Sequence, residues 1–148
     1  MKMQKSQKTS KLTKPKRRFR LKVILLGDSG VGKTFLYTRF ITQKIPDLCA
    51  PTLGMDFFTR KISLEEENLD FNLDIWDTAG HEKFRAVNRS YYKEADLIFF
   101  VYDITDTRTF QNLEHWLDDY YENGNKDSPL ILVGNFLLLY LSFLTYLV

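Results

Sequence analysis

Apolar and polar residues fall in a repeating order along this chain. Phe19 to Leu26 alternates and then turns wholly apolar, as a buried strand does. After a glycine-rich stretch, Phe35 to Ile41 places Leu36, Phe40 and Ile41 at helical spacing. Gln43 to Pro51 is a linker with two prolines. Phe58, Arg60 and Ile62 then alternate with Phe57, Thr59 and Lys61, and Leu69, Phe71, Leu73 and Ile75 alternate with Asp70, Asn72, Asp74 and Trp76. The polar Glu65-Glu66-Glu67-Asn68 lies between these two runs, so they predict a hairpin. His81 to Glu94 is charged with dispersed apolar positions and predicts a short helix. Ala95 to Asp103 and Leu130 to Asn135 predict two further buried strands. Between them, Asp106 to Glu122 predicts one amphipathic helix, with Phe110, Leu113, Trp116 (or Leu117) and Tyr120 on its apolar face and Thr109 or Asp106 as its cap. Strands alternating with helices imply an α/β domain with a mostly parallel sheet and a ligand at the strand C-termini.

The chemistry sits at those termini. Gly27-Asp28-Ser29-Gly30-Val31-Gly32-Lys33-Thr34 fits G-x-x-x-x-G-K-[ST] and lies between the first strand and the first helix. In that context the small residues from Asp28 through Gly32 let backbone N–H groups point at a phosphate, and the helix N-terminus adds partial positive charge. Lys33 reaches the outer phosphates, and the Thr34 hydroxyl takes a Mg²⁺ position. A second feature, Asp77-Thr78-Ala79-Gly80, closes an apolar strand. Asp77 there is a candidate Mg²⁺ holder, and the Gly80 N–H a candidate contact to a terminal phosphate.

Composition changes the picture little, charge more. The 148 residues suit one domain, and 44% hydrophobic and 27% charged residues are ordinary for a globular protein. Cys49 is the sole cysteine, so no internal disulfide forms. The net +2 hides a split. Residues 1–26 carry ten Lys and Arg and no acid, while the remaining eleven bases face nineteen acids, a net −8. Residues 1–18 are expected to be a disordered basic tail. It serves either as a solvated leader or as an electrostatic contact centred on Lys14-Pro15-Lys16-Arg17-Arg18, with anionic lipid favoured over nucleic acid as the partner.

Taken together these motifs resemble the Ras superfamily of small GTPases, the Rab branch in particular, over residues 19–135. Further matches are Pro51-Thr52-Leu53-Gly54-Met55-Asp56-Phe57, Trp76-Asp77-Thr78-Ala79-Gly80, Tyr91-Tyr92, Val101-Tyr102-Asp103-Ile104-Thr105, Phe110 with Trp116, and Leu132-Val133-Gly134-Asn135. The resemblance implies a P-loop NTPase G domain that binds GTP and GDP with Mg²⁺ and hydrolyses GTP in vesicle and membrane traffic. It implies Thr34 and Thr52 as Mg²⁺ ligands, Asp77 holding the ion through water, Thr52 and Gly80 sensing the γ-phosphate, and Asn135 at the base. Exchange factors, GTPase-activating proteins and effectors would be met through the switch segments, with Phe57, Trp76 and Tyr91/Tyr92 in the effector-facing positions. The implied place is the cytoplasm, at the cytosolic face of endomembranes.

The departures from the family are specific. His81 stands where a glutamine usually orients the attacking water, a role for which Ras itself is the standard worked example. His81 is therefore the candidate catalytic residue of a slow hydrolysis. Ile45 stands where an aromatic ring usually stacks on guanine. Asn135 is followed by Phe136-Leu137-Leu138 in place of the Lys-x-Asp that recognises guanine, and losing that aspartate is expected to cost base specificity. The alternative is thus a non-cycling pseudo-GTPase or truncated binding module. The family's sixth strand and last helix are not found in the sequence, nor is a C-terminal cysteine for prenylation. Residues 136–148 form an apolar run without charge, Pro or Gly. Three readings stand: a gene-model artefact beginning at the Asn135–Phe136 junction, a marginal membrane anchor that borrows Leu130 to Asn135, or a segment packed where the last helix would lie.

Overall fold

The computed structural model describes residues 15–44 and 51–136. The sheet grows around β1 (Arg17–Leu26). Its apolar half alternates between the two faces. Ile24 and Leu26 pack into one core cluster, Val23 and Leu25 into another. The chain continues through α1 (Lys33–Thr42), β2 (Met55–Leu64), β3 (Leu69–Thr78), a 3-10 turn (Glu82–Phe84), α2 (Arg85–Tyr92), β4 (Leu97–Asp103), α3 (Thr107–Gln111), α4 (Leu113–Asn123) and β5 (Leu130–Asn135). The strand order is β2-β3-β1-β4-β5. Among the described residues only the predicted hairpin, β2 with β3, is antiparallel, and the other three pairings are parallel. This is the α/β, mostly parallel architecture that the alternation predicts.

Helices cover both faces. Tyr92 from α2 with Leu113, Trp116 and Tyr120 from α4 close over Ile24, Leu26, Ile98 and Phe100. On the other face Tyr37, Phe40 and Ile41 from α1 close over Val23, Leu25 and Ile75. The parallel register sets Leu25 opposite Asp77 and Asp103 opposite Asn135, so the ends carrying the motifs lie along one edge of the sheet.

Three boundaries differ from the sequence reading. First, β1 starts at Arg17, so Arg17 and Arg18 leave the expected tail. They pair with Leu69 and Asp70, and the Arg17 N–H donates to the Asn68 carbonyl at 3.1 Å. Neighbouring acids make a charged strand end tolerable: Lys16 bonds Glu65 and lies 3.5 Å from Asp70, and Arg20 bonds Asp74.

Second, the single helix expected over residues 106–122 is two, α3 and α4, joined at Asn112. Of the two candidate caps, Asp106 is the one used: its carboxylate accepts from the Arg108 N–H at 3.1 Å. Phe110 falls off the buried face and is 49% exposed, because α3 lies at the end of β4 and sets this ring against Tyr102, with centroids 5.0 Å apart.

Third, β5 is an edge strand rather than a buried one. Among the described residues β4 is its one strand neighbour, and Ile131 and Leu132 are 41% and 55% exposed. The expectations for Met1 to Lys14, for Ile45 and Cys49, and for Leu137 to Val148 concern positions outside the described residues.

Candidate functional site

The loop between β1 and α1 is shaped by close approaches. Gly27 has φ +140°, and a Cβ there would lie 2.1 Å from the Val101 carbonyl oxygen. Gly32 has φ +89°, and a Cβ there would lie 2.2 Å from the Asn135 amide nitrogen. Both positions demand glycine on conformational and steric grounds at once. Val31 is buried beneath the loop. The Lys33 ammonium donates to the carbonyls of Gly27 and Asp28, each at 2.7 Å. Burial pulls its pKa down to about 8, against the opposing pull of the Asp77 and Asp28 carboxylates. A charge held by two neutral carbonyls in a buried loop is ready to exchange them for an anion.

Next to Lys33, three hard oxygens from three segments converge. The Thr34 hydroxyl donates to Asp77 Oδ2 at 2.6 Å and lies 2.8 Å from the Thr52 hydroxyl. Asp77 is fully buried, and its Oδ1 has no hydrogen-bond partner among the described residues. Burial raises the Asp77 pKa, while the Thr34 hydrogen bond and the Lys33 charge act to lower it. An orphaned buried carboxylate oxygen beside two hydroxyls fits a small divalent cation. Among the described residues no three or more His, Cys, Asp or Glu are grouped so as to hold a metal ion. A site of one carboxylate and two hydroxyls suits Mg²⁺, which completes its shell with waters and phosphate oxygens.

The loop and the two threonines line a cavity of about 150 Å³, with Ser29, Gly30, Lys33, Thr34, Thr52 and Gly80 in its wall. This is below the usual ~300–1,000 Å³ of a whole organic-ligand pocket. Its size and polarity suit phosphate groups. The exit of β3 is braced against the loop. Thr78 donates to the Leu25 carbonyl at 2.6 Å, Asn88 donates to the Ala79 carbonyl at 3.0 Å, and a Cβ on Gly80 would lie 2.3 Å from the Asp28 carbonyl carbon.

The model of the Ras family matches residues 22–139. The chain belongs to the Ras family. This Ras-family chain is 42% identical over 115 residues to the Ras-related protein SEC4 of Candida albicans, covering 78% of the chain and 54% of that relative. It is 38% identical over 124 residues to the Ras-related protein Rab7 of Pisum sativum, covering 81% and 59%. It is 37% identical over 119 residues to the Ypt/Rab-type GTPase YPT7 of Saccharomyces cerevisiae, covering 78% and 57%. The chain therefore spans little more than half the length of these relatives. The family match runs to residue 139, four residues past Asn135.

The structure gathers most of the expected site residues and sets others apart. Lys33, Thr34, Thr52 and Gly80 line one cavity, and Asp77 is held against it by the Thr34 hydroxyl. Asn135, expected at the base, donates its side-chain amide to the Val31 carbonyl at 2.9 Å and braces the loop. His81 is exposed just beyond Gly80; its Nδ1 accepts from the Lys83 N–H at 3.3 Å, and its ring meets Phe84 edge-on. Among the aromatics, Phe57, Trp76 and Tyr91 form a continuous row, with centroids 4.8 and 5.0 Å apart. Tyr92 is fully buried and donates to Asp119, so Tyr91 is the tyrosine of that row. One functional feature escaped sequence reasoning. The Asp28 carboxylate turns away from the cavity to Asn112 and Trp116, partners 84 and 88 residues distant that no local pattern announces.

Proposed function

We propose that this Ras-family chain is a Rab-like guanine-nucleotide switch that binds GTP and GDP with Mg²⁺, hydrolyses GTP and acts in vesicle traffic at the cytosolic face of endomembranes. The observation that carries this reading is the convergence of Thr34, Thr52 and the orphaned Asp77 carboxylate beside the buried Lys33. In this reading the loop N–H groups and Lys33 bind the phosphates. Thr34, Thr52 and Asp77 hold Mg²⁺, which neutralises charge on the phosphates. Thr52 comes from the segment before β2 and Gly80 from the exit of β3, so a terminal phosphate would tie both segments to the loop and its loss would release them. In this reading His81 orients the attacking water. Exchange factors, GTPase-activating proteins and effectors would read the released or tied segments, the last through Phe57, Trp76 and Tyr91.

A second reading keeps the effector face but does not cycle. The Asn135 side chain bracing Val31, and the apolar Phe136-Leu137-Leu138 after it, favour this reading over a full guanine site. One experiment separates the two. Labelled GDP is titrated with Mg²⁺ and competed with GTP and ATP, followed by single-turnover hydrolysis of the parent and of His81→Gln. Tight binding displaced by GTP but not by ATP, with faster hydrolysis in His81→Gln, supports the switch. Equal displacement by GTP and ATP, or binding that ignores Mg²⁺, overturns it.

The basic residues 1–26 suit an anionic membrane surface as a further partner. Co-sedimentation with anionic vesicles should fall steeply between low and physiological salt. Equal binding to neutral vesicles would remove this contact. Among the described residues no helix is long and apolar enough to cross a membrane.

A further inference from the structure

An acid in a phosphate-binding loop is an electrostatic problem. Asp28 lies within Gly27–Thr34, and its carboxylate, turned inward, would repel the phosphates that Lys33 attracts. The structure shows how the charge is kept away. Asp28 Oδ2 accepts from the Asn112 side-chain amide at 2.7 Å, and Oδ1 accepts from the Trp116 indole N–H at 2.8 Å. Both oxygens are engaged by neutral donors on the α3–α4 pair. Trp116 is fully buried, so its N–H is fixed in place by the core beneath it. Asp28 also offers its carbonyl to Lys33 at 2.7 Å, and its backbone is the surface against which Gly80 packs.

We infer that Asn112 and Trp116 are positioning residues that act through Asp28: they pull its carboxylate out of the phosphate cavity and so fix the orientation of the loop peptides. The inference rests on the phosphate-binding reading given above for its functional consequence. Asn112 sits at the junction between α3 and α4 with a side chain committed to the loop. The strut survives ligand binding: when a phosphate draws Lys33 off the Asp28 carbonyl, the two side-chain bonds still hold the residue.

A purely structural brace and a charge-diverting one predict different mutational patterns. Asn112→Ala and Trp116→Phe each remove one donor while keeping most of the packing. Each is expected to weaken Mg²⁺–GDP binding by about tenfold, the order of the repulsion between a released carboxylate and the phosphates. The decisive comparison is Asp28→Asn placed on top of Trp116→Phe. With the charge gone, affinity should recover by at least about threefold, and the loss in Trp116→Phe alone should shrink at raised salt, because salt screens a repulsion. Additive losses with no salt dependence would overturn the proposal. Should Trp116→Phe fail to fold, the same cycle is run with Asn112→Ala.

A parent chain that does not bind GDP would refute the phosphate-binding reading, and the strut would then be judged on the loop itself. Amide hydrogen exchange of residues 28–34 in the nucleotide-free chain should accelerate in both donor variants if the strut exists. Unchanged exchange there, with unchanged exchange in the core strands, would refute it.

Discussion

At the scale of single residues, Lys33 concentrates the chemistry of the site. Its pKa of about 8 lies below the ordinary 10.5 because burial disfavours the charge. An anionic phosphate in place of two neutral carbonyls would favour the charge and raise that pKa. Binding should therefore draw protons from solution above about pH 8, and affinity should fall as pH rises from there towards the pKa of the complex. The same displacement acts on folding. Between about pH 8 and 10.5 the unfolded chain holds more protons at this lysine than the folded one, so the nucleotide-free protein gains stability from this group as pH rises through that window. Calorimetry of Mg²⁺–GDP binding near pH 8.5, in two buffers of different ionisation heat, should show net proton uptake, and Lys33→Met should abolish it. No difference between buffers would mean that no phosphate reaches the lysine. Asp77 differs in kind. Its pKa is raised by burial, and a bound cation would lower it, so metal binding pushes protons off at the acid end of the scale and leaves the alkaline window to Lys33.

At the scale of elements, what the sequence made legible was what contiguous residues decide. Gly27 to Thr34 carries its own glycines and lysine between a recognisable strand and helix, and the β2–β3 hairpin is written in its alternation. The interruption at Asn112 was not legible, and neither was the partner of its side chain, since Asp28 lies 84 residues away along the chain. The choice between Tyr91 and Tyr92 was equally closed to sequence, since both lie in one charged, weakly patterned stretch. What decides it is α4. Asp119 on that helix, 7% exposed, accepts from the Arg89 Nε at 2.7 Å and from the Tyr92 hydroxyl at 3.0 Å, locking α2 to α4. Asp119→Ala removes a buried acceptor and should cost about 1–3 kcal/mol. The melting midpoint should drop by about 2–4 °C for each of those kcal/mol, while exposed Asp118→Ala stays within about 0.5 kcal/mol of the parent. Equal midpoints for the two variants would show that the α2–α4 lock does not hold in solution.

At the scale of the whole molecule, the two faces of the sheet are unequally packed among the described residues. Trp116, Tyr92, Tyr120, Ile24, Leu26 and Ile98 are fully enclosed on the α2–α4 face. On the α1 face a cavity of about 350 Å³ opens among Val23, Leu25, Leu73, Phe99 and Val133. The sequence reading of β5 as a buried strand failed for the same reason. Apolar composition shows that a strand can be covered, whereas coverage depends on which other elements reach it, and α1 packs over the β1–β3 side. The asymmetry has a measurable consequence. Ile98→Ala would leave a void in tightly enclosed surroundings and should cost about 3–4 kcal/mol in chemical denaturation. Leu73→Ala borders space that is already open, loses fewer packing contacts and should cost about 1–2 kcal/mol. Conversely, Val133→Leu adds volume on the loose face and should be neutral or stabilising by up to about 1 kcal/mol, where an added methylene on the enclosed face would cost stability by overpacking. If Leu73→Ala proved as costly as Ile98→Ala and Val133→Leu destabilised the chain, the α1 face would have to be as well filled in solution as the other, and the cavity would not be a property of the folded protein.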